Sequence, residues 1–221
     1  MTKEELLGQL YDETLTGNRP AVLELTNQGL AQGLGPETLL YDALIPSLEE
    51  VGARFERGDF FVPEMLIAGK AMAGALEILR PLLAETGAET IGTVVMGTVK
   101  GDVHDIGKNL VNIMLEGAGF HVIDLGVQVS PEKVIAGIQE HKPDIVGFSA
   151  FLTTTMPMFK ANINALQKAG LRDQVIVMVG GAPVTQEYAD AVGADGYAAD
   201  ASTAVREAEQ LLAARRAALA V

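Results

Sequence analysis

A histidine flanked by two aspartates is the part of this sequence with the clearest chemical potential. His104 lies between Asp102 and Asp105 in the run GDVHDIG, residues 101–107. A neutral imidazole can hold a metal through one nitrogen only if its other nitrogen donates to a partner. In extended backbone a residue two positions earlier projects to the same side, so Asp102 is the expected partner of His104. A purely structural alternative stays open, in which Asp105 caps a helix, Gly101 relieves a turn and His104 forms only a hydrogen bond.

The other two histidines of the chain lack such a setting. His121 starts a predicted strand, and His141 ends a predicted helix next to Pro143. One imidazole with nearby carboxylates could form a weak divalent-metal site, but it offers too few ligands for a closed zinc site, and the chain has no cysteine. A corrin ring supplies four equatorial nitrogens of its own and needs a single axial ligand from the protein. Such a cofactor therefore fits a lone histidine ligand at His104.

Two kinds of hydrophobic pattern divide the chain into the elements that must position this loop. Up to about residue 83 the apolar spacing is helical throughout. It predicts helices at about 3–16, 20–32, 36–57 and 62–83. The segment 84–89 is small and polar, which is typical of a linker. We therefore expect a helical bundle domain at 1–86 and a second domain at 87–221.

Short β-branched runs alternate with helical segments in the second domain. The predicted strands cover 91–95, 121–125, 145–148, 175–179 and 194–198. The predicted helices cover 106–118, 131–140, 155–169, 184–192 and 202–217. This alternation predicts an α/β fold, with a Rossmann-like (flavodoxin-like) five-stranded parallel sheet and helices on both faces.

Ligands of such sheets bind beyond the carboxyl ends of the strands, where three loops contain unusual residues. They cover 97–105, 149–155 and 180–183. Gly180 and Gly181 would let a bulky ligand approach the backbone closely. Hydroxyl groups stand in the loop after the third strand, at Ser149, Thr153, Thr154 and Thr155. A tight turn and helix caps explain each of these residues equally well when it is taken alone.

These residues together resemble the cobalamin-binding module of methionine synthase and of the corrinoid proteins of methyltransferase systems. That family is marked by D-x-H-x-x-G, about 41 residues, S-x-L, about 28 residues and then G-G, which brings three loops of an α/β sheet together. Here residues 102–107 are followed by 41 residues, Ser149-Ala150-Phe151, 28 residues and Gly180-Gly181.

The resemblance extends well beyond these motifs. The run TVKGDVHDIGKN, residues 98–109, is similar to the methionine synthase loop almost letter for letter. The runs VGARF at 51–55 and FFVPEM at 60–65 resemble the helical cap of the same family. The resemblance therefore covers nearly the whole chain and implies a four-helix bundle cap followed by a cobalamin-binding domain.

The resemblance implies that cobalamin binds with its own base off the cobalt, and that His104 takes the vacated lower position as metal ligand. Asp102 would tune this ligand, and Thr155 stands where methionine synthase has a serine that completes a His-Asp-Ser relay. The nucleotide tail is expected to enter a deep slot in the sheet domain. The remaining cofactor contacts expected in this domain are Val103, Asp105, Ile106, Gly107, Ser149, Phe151, Leu152, Thr153, Gly180 and Gly181.

Two positions depart from the family pattern. Thr155 keeps a hydroxyl but adds a methyl group, and Phe151 replaces the leucine of S-x-L. We expect Phe151 to reshape the slot and alter which lower base fits, because close-packed pockets respond to a methylene or more. Equal affinity for several lower-base variants in this protein and in a Phe151→Leu variant would contradict this expectation.

The helical domain is rich in phenylalanine and methionine between residues 60 and 72. Periodicity alone assigns such residues to a bundle core. The resemblance implies instead that Phe61 covers the upper cobalt face, with Met65 and Met72 nearby, and keeps water away from it. The cap must then move aside for transfer, so we expect residues 84–89 to be a flexible linker.

By the same resemblance the protein is a methyl carrier without catalytic residues of its own. Co(I) would accept a methyl group through a substrate-specific methyltransferase, and methyl-Co(III) would pass it on through an acceptor methyltransferase of tetrahydrofolate or thiol type. A corrinoid reactivation protein is a further expected partner. A chain of 221 residues has no room for a catalytic barrel of about 250 residues, so the transferases are expected to be separate chains. Two alternatives are the small subunit of an adenosylcobalamin isomerase and a cobalamin-dependent sensor.

Composition argues against several other classes of protein. The net charge of −13 repels phosphate groups, which argues against nucleic acid or an anionic membrane surface as the main partner. The first residues carry no apolar signal region, and no stretch reaches the roughly 18 apolar residues that span a bilayer. We therefore expect a cytoplasmic protein without nucleic-acid or membrane partners.

Overall fold

A computed structural model describes residues 1–86 and 90–219 of the chain, without the side chains of Glu56 and of residues 84–86. The chain separates into two units. One contains Met1–Thr90 and Glu116–Gly119, and the other contains Ile91–Leu115 and Phe120–Val221.

The first unit is helical. Its helices are α1 (Lys3–Leu15), α2 (Arg19–Ala31), α3 (Pro36–Leu39), α4 (Ile45–Glu56) and α5 (Val62–Thr86). Thr2 and Glu5 form a capping box at the start of α1, which satisfies backbone N–H groups that have no partner inside the helix. α1 packs against α2 and α4, and α5 packs against the same two helices, so the long helices close into a bundle.

The predicted helix at 36–57 is present but changes its winding in the middle. Residues Leu40–Leu44 between α3 and α4 form a π-helical turn, in which the Ile45 N–H donates to Leu40 O. Pro46 follows directly, and a proline lacks an N–H and clashes with the carbonyl four residues earlier. The wider turn accommodates this proline without ending the helix.

The last helix of the bundle is longer than predicted. α5 continues to Thr86, although the sequence predicts an end at residue 83. The first three residues of the predicted linker are therefore helical, and residues 87–89 lie outside the described residues. The domain boundary between residues 86 and 87 stays a prediction. Within residues 1–86 and 90–219, no helix has the length and apolar character needed to cross a bilayer.

The second unit alternates strands with helices. The strands are β1 (Thr93–Thr98), β2 (His121–Asp124), β3 (Ile145–Ser149), β4 (Ile176–Gly180) and β5 (Gly196–Ala198). The helices are α6 (Ile106–Gly117), α7 (Pro131–His141), α8 (Pro157–Lys168), α9 (Gln186–Val192) and α10 (Ala201–Leu219). The strands form one parallel sheet in the order β2-β1-β3-β4-β5, which is the flavodoxin-like order and confirms the predicted fold class.

Helices cover both faces of the sheet, as predicted. Alternate residues of β3 and β4, such as Phe148 and Val177, belong to one apolar core together with Val134 of α7 and Phe159 of α8. The opposite face carries α6 and α10. Asp124 at the end of β2 is hydrogen-bonded to Lys108 and Asn112 of α6. A side chain added at Gly196 of β5 would meet Leu211 of α10.

Candidate functional site

The loop after β1 lies where the strand order reverses. β1 has β2 on one side and β3 on the other, so the carboxyl ends of β1 and β3 flank a crevice in which such sheets bind ligands. The register pairs Thr98 with Ser149, and the Val99 N–H donates to Ser149 O at 3.0 Å. Gly101 then turns the loop with a φ of +87°, a conformation that favours glycine. The loops after β1 and β3 therefore leave the sheet side by side.

The carboxylate of Asp102 ties these two loops together, and it is fully buried. Its Oδ1 accepts hydrogen bonds from the backbone N–H of His104 at 3.0 Å and from His104 Nδ1 at 2.7 Å. Its Oδ2 accepts from the N–H groups of Phe151 at 2.8 Å and Leu152 at 3.1 Å. The Thr155 hydroxyl donates to the same oxygen at 2.8 Å. Five donors thus converge on one carboxylate, which favours its ionised form.

These hydrogen bonds decide the charge of Asp102 and the tautomer of His104. Burial alone would raise the pKa of the Asp102 carboxyl, but hydrogen bonds from His104, Phe151 and Thr155 outweigh burial and hold that pKa well below its usual range. An ionised carboxylate only accepts hydrogen bonds, so His104 Nδ1 must carry the shared hydrogen. In a neutral imidazole the lone pair is then on Nε2, which is the arrangement that a metal needs.

The rest of the His104 ring is available to a ligand. Its side chain is 45 % exposed, and no hydrogen bond from residues 1–86 or 90–219 reaches Nε2. The oxygens of Asp102 are occupied by their donors, so they are not free to bind a metal as well. Nε2 is therefore the one ring nitrogen left for a ligand in this part of the site, and the role of His104 as a metal ligand stays a prediction.

Thr155 completes the predicted series of imidazole, carboxylate and hydroxyl. The hydroxyl oxygen lies 2.8 Å from Asp102 Oδ2 and 2.8 Å from Leu152 O, so its single hydrogen is shared between the two acceptors. Threonine differs from serine by its Cγ2 methyl group. In Thr155 this methyl group would lie 3.6 Å from a Cβ added at Gly101, which is an ordinary contact distance. The departure from serine at position 155 therefore preserves the hydrogen-bonding geometry.

Apolar side chains next to His104 are exposed instead of being packed in a core. The exposed fractions are 57 % for Val103, 65 % for Ile106, 52 % for Phe151 and 38 % for Leu152. A group of exposed apolar side chains marks a surface that binds a ligand or a partner. The four residues are among the cofactor contacts expected from the sequence, and their exposure is the structural observation in favour of that role.

The structure places Phe151 beside His104. The sequence predicts that Phe151 reshapes the slot for the nucleotide tail, and the structure shows half of this side chain exposed. Its ring stacks on the imidazole of His104, with ring centroids 4.5 Å apart and an angle of 30° between the planes. Phe151 lies two residues beyond the end of β3, where the chain has left the sheet and follows Asp102. Its effect on the choice of lower base stays a prediction.

A row of small residues marks the carboxyl edge of the sheet on the face that carries α6 and α10. The register aligns Thr98, Ser149 and Gly180 across β1, β3 and β4, and Ser149 and Gly180 are half-buried. Behind them the Met96 side chain lies over Gly147, since a Cβ added at Gly147 would be 2.1 Å from Met96 Sδ. A flexible thioether adapts readily to a new neighbour, so this edge is the candidate entrance of the predicted slot.

The structure gives different explanations for glycine at two motif positions, Gly181 and Gly107. Gly181 has a φ of +127°, and a Cβ there would lie 1.9 Å from Ala150 O, so the close approach of two loops requires glycine whether or not a ligand binds. Loop packing therefore accounts for this glycine, and contact of Gly181 with a ligand stays a prediction. At Gly107, within the described part of the chain, a Cβ would meet no heavy atom within 4 Å and φ is not left-handed. Glycine there leaves open surface one turn from His104.

The remaining predicted residues are placed as follows. Asp105 is half-buried, and its carbonyl accepts the Asn109 N–H at 2.8 Å in the first turn of α6, while Thr153 is exposed before α8. Phe61 in the helical unit is 66 % exposed. Met65 and Met72 have no exposed surface, so the structure does not present them to a ligand. Their burial agrees with a role in packing, which their helical spacing alone predicts.

Sequence reasoning missed the loop after β2, which ends at the same edge of the sheet. The Gln128 N–H donates to Asp102 O at 3.1 Å, and the Val129 N–H donates to Thr98 O at 2.9 Å. Gln128 has a φ of +53°, which is uncommon for a residue other than glycine and occurs often at functional sites. The rule that ligands bind at strand carboxyl ends applies to this loop too and would have included it.

Comparison with known proteins identifies the family of the chain and its cofactor. Residues 92–206 match a family described as B12 binding domain, and residues 6–80 match a second family of the same description. Dimethylamine corrinoid protein 1 of Methanosarcina acetivorans is 43 % identical over 96 % of this chain and 100 % of its own length. The chain belongs to the B12-binding corrinoid proteins. The predicted family and the predicted cobalamin cofactor are thereby confirmed.

Other corrinoid proteins match over nearly the same length. Trimethylamine corrinoid protein 1 of Methanosarcina acetivorans is 39 % identical over 96 % of this chain and 99 % of its own. In the crystal structure of the methanol:cobalamin methyltransferase complex MtaBC from Methanosarcina barkeri, one chain matches with a TM-score of 0.84 and 32 % identity. That match covers 96 % of this chain and 81 % of that one. A cobalamin-binding protein from Desulfitobacterium hafniense matches with a TM-score of 0.69 and 30 % identity, over 92 % and 97 % of the two chains.

Proposed function

We propose that this corrinoid protein carries a methyl group from a donor methyltransferase to an acceptor methyltransferase. The observation that carries the proposal is the hydrogen bond of 2.7 Å between Asp102 and His104 Nδ1, which leaves Nε2 without a hydrogen-bond partner among the described residues. The bound corrinoid would supply the cobalt atom that accepts the methyl group and gives it up again. The relatives named for dimethylamine and trimethylamine, together with the methanol system, support a role in methyl transfer.

The residues at the sheet edge would each perform a separate task. Asp102 would keep the hydrogen on Nδ1, and Thr155 would hold the Asp102 carboxylate in place. The exposed side chains of Val103, Ile106 and Leu152 would contact the apolar parts of the corrin. This contact would remove their apolar surface from water, which favours binding. The row that contains Ser149 and Gly180 would admit the nucleotide tail.

The partners and the cap remain part of the proposal. We infer a substrate-specific methyltransferase as donor, an acceptor methyltransferase of tetrahydrofolate or thiol type, and a corrinoid reactivation protein. Phe61 would cover the upper cobalt face, and its 66 % exposure is the observation in favour of this role. A helical cap at 1–86, a separate domain at 87–221 and a cytoplasmic location belong to the same proposal. Mixing the reduced holoprotein with a methylamine methyltransferase and its amine tests the donor step through the cobalamin absorbance.

The axial role of His104 is tested by electron paramagnetic resonance of the Co(II) protein. The protein is reconstituted with hydroxocobalamin, reduced, and measured with unlabelled and 15N-histidine-labelled samples of the wild type and of His104→Ala. Splitting from an axial nitrogen should change with the histidine label in the wild type, and this dependence on the label should disappear in His104→Ala. His141→Ala is the matched control, because His141 ends α7 and its side chain is about one-third exposed (32 %).

The contrary outcomes are equally clear. Binding with the cofactor's own base on cobalt would leave the splitting insensitive to the histidine label. In that case His104 would be a loop residue that only forms a hydrogen bond, and the proposal would be wrong.

A further inference from the structure

Phe151 contacts both members of the His104–Asp102 pair. Its backbone N–H donates to Asp102 Oδ2 at 2.8 Å, and its ring stacks on the His104 imidazole at a centroid distance of 4.5 Å. The first contact fixes the position of the Phe151 backbone relative to the carboxylate. The second places an aromatic face against the ring that this carboxylate holds. One residue therefore connects the hydrogen bond on the imidazole edge with the packing on the imidazole face.

The hydrogen bond to Asp102 alone leaves the imidazole one important freedom. A ring held at Nδ1 can still tilt about the Nδ1···Oδ1 direction, and such a tilt carries Nε2 with it. A flat ring at an angle of 30° against one face opposes this tilt. The leucine of the family motif has no planar face, so it could contact the imidazole but could not set its plane.

We propose that Phe151 is a positioning residue for the axial histidine, whose stacked ring fixes the plane of the His104 imidazole and so favours the His-on form of the bound cofactor. This inference rests on the proposed axial role of His104. The expectation from the sequence that Phe151 alters which lower base fits stays a separate prediction, with its own test by lower-base affinity.

A purely structural role for the Phe151 side chain explains the observations less well. Half of the side chain is exposed, and apolar surface left in water contributes nothing to folding. The backbone hydrogen bond to Asp102 needs no particular side chain at position 151. Two roles therefore remain for the ring. It contacts His104, and its exposed half is available for contact with a ligand.

The stack itself is tested in the protein without cofactor, by NMR of samples labelled with 15N-histidine. The wild type should show contacts between the ring protons of His104 and Phe151, and ring-current shifts of the His104 protons. Both should be lost in Phe151→Leu and retained in Phe151→Tyr, which keeps a planar ring. Thermal unfolding of all three proteins checks that each variant is folded. Absence of ring contacts in the wild type would overturn the inference.

The consequence for cobalt is tested in the Co(II) holoprotein. An aromatic pair contributes enough to change a population about two- to tenfold, so the His-on to His-off ratio should fall by about that factor in Phe151→Leu. Phe151→Tyr should keep the wild-type ratio. The ratio is read from the fraction of the paramagnetic signal that shows histidine nitrogen splitting.

Two results would overturn the inference in different ways. A lower affinity for cobalamin with an unchanged His-on ratio in Phe151→Leu would make Phe151 a contact of the corrin and not a positioning residue. Splitting that still changes with the histidine label in His104→Ala would instead overturn the proposed axial role, and this inference with it. The His104→Ala arm therefore separates the failure of the proposed function from the failure of the positioning role.

Discussion

Replacing Asp102 by asparagine should move the hydrogen of the His104 ring from Nδ1 to Nε2. Asparagine offers one oxygen where aspartate offers two, so its NH₂ group must face existing donors. Oδ2 of Asp102 receives three donors and Oδ1 receives two, so the amide nitrogen should take the Oδ1 position. From there it can donate to Nδ1 only if the ring hydrogen has moved. The nitrogen that should bind cobalt then carries a hydrogen.

Three terms set the expected size of this effect. The backbone N–H of His104 loses its acceptor, which costs about 1–3 kcal/mol for a donor left unsatisfied. The three donors to Oδ2 keep an oxygen as acceptor, but this oxygen is no longer charged, which weakens each hydrogen bond by about 1 kcal/mol. Part of this loss is offset because burying a neutral amide costs less than burying a carboxylate. We therefore expect the free energy of unfolding to fall by about 2–4 kcal/mol. Cobalamin affinity should fall about ten- to a hundredfold, as when other metal-binding histidines lose their orienting partner.

Two measurements test this prediction. Urea unfolding of the protein without cofactor gives the change in stability, and long-range 1H–15N NMR reports which ring nitrogen of His104 carries the hydrogen. Asp190→Asn is the matched control, because it removes the same charge from an exposed position in α9 of the same unit. An Asp102→Asn variant that keeps the hydrogen on Nδ1 and binds cobalamin like the wild type would refute the reasoning.

Four further predictions follow from the same contacts. Thr155→Ala should lower the free energy of unfolding by about 1–3 kcal/mol, because it removes a hydrogen bond to an ionised group, and Thr155→Ser should restore it; urea unfolding separates the two. The difference in free energy of unfolding between the wild type and Asp102→Asn, here called the gap, should become smaller in acid. The folded-state pKa of Asp102 is depressed, so its contribution is present above the unfolded value of about 3.9 and is lost as the pH falls from there towards the folded-state pKa. Thermal melts at a series of pH values measure this gap. Gly181→Ala should cost about 3 kcal/mol or more, because its Cβ would lie 1.9 Å from Ala150 O at a φ of +127°, and circular dichroism of the variant reports the loss of fold. Gly107→Ala should leave stability unchanged or raise it by up to about 1 kcal/mol, yet weaken cobalamin binding in an absorbance titration.

Each of these predictions has a contrary outcome. Equal stability of Thr155→Ala and Thr155→Ser would remove any role of the hydroxyl. A difference between the wild type and Asp102→Asn that does not shrink as the pH falls below about 3.9 would mean that Asp102 is not an ionised, hydrogen-bonded carboxylate in the folded protein. Normal folding of Gly181→Ala would contradict the close approach of the two loops, and normal cobalamin binding by Gly107→Ala would mean that the open surface is not used.

The sequence predicts the fold class and the pairing of Asp102 with His104 because both follow from local rules. Strand order, helix order and the side-chain direction two residues apart need no knowledge of distant contacts. β1 shows where such rules reach their limit. The β-branched run predicts a strand at 91–95, whereas β1 covers Thr93–Thr98, because Gly97 and Thr98 pair in register with Phe148 and Ser149.

The features that the sequence did not predict depend on contacts between loops. The stack of Phe151 on His104 requires knowing that the loop after β3 passes beside Asp102. The need for glycine at Gly181 comes from the carbonyl of Ala150, which lies in another loop. The left-handed backbone of Gln128 follows from bonds between the loops after β1 and β2, and no letter in the sequence marks it.

The spacing between the motifs acquires a physical meaning from the register of the sheet. Thr98 pairs with Ser149 at the ends of β1 and β3. Asp102 lies four residues beyond this pair in the loop after β1, and Phe151 lies two residues beyond it in the loop after β3. This pairing, and not the 41 residues between the motifs, brings the Phe151 N–H within 2.8 Å of the carboxylate. The intervening residues build α6, β2 and α7, so an insertion in the turn at 142–143 would leave the contact in place, because strand pairing would restore it. An insertion at 100–101 would move Asp102 away from Phe151, since no strand pairing of residues 100–102 could correct it. The motif spacing therefore marks the family, whereas the register of β1 and β3 produces the site.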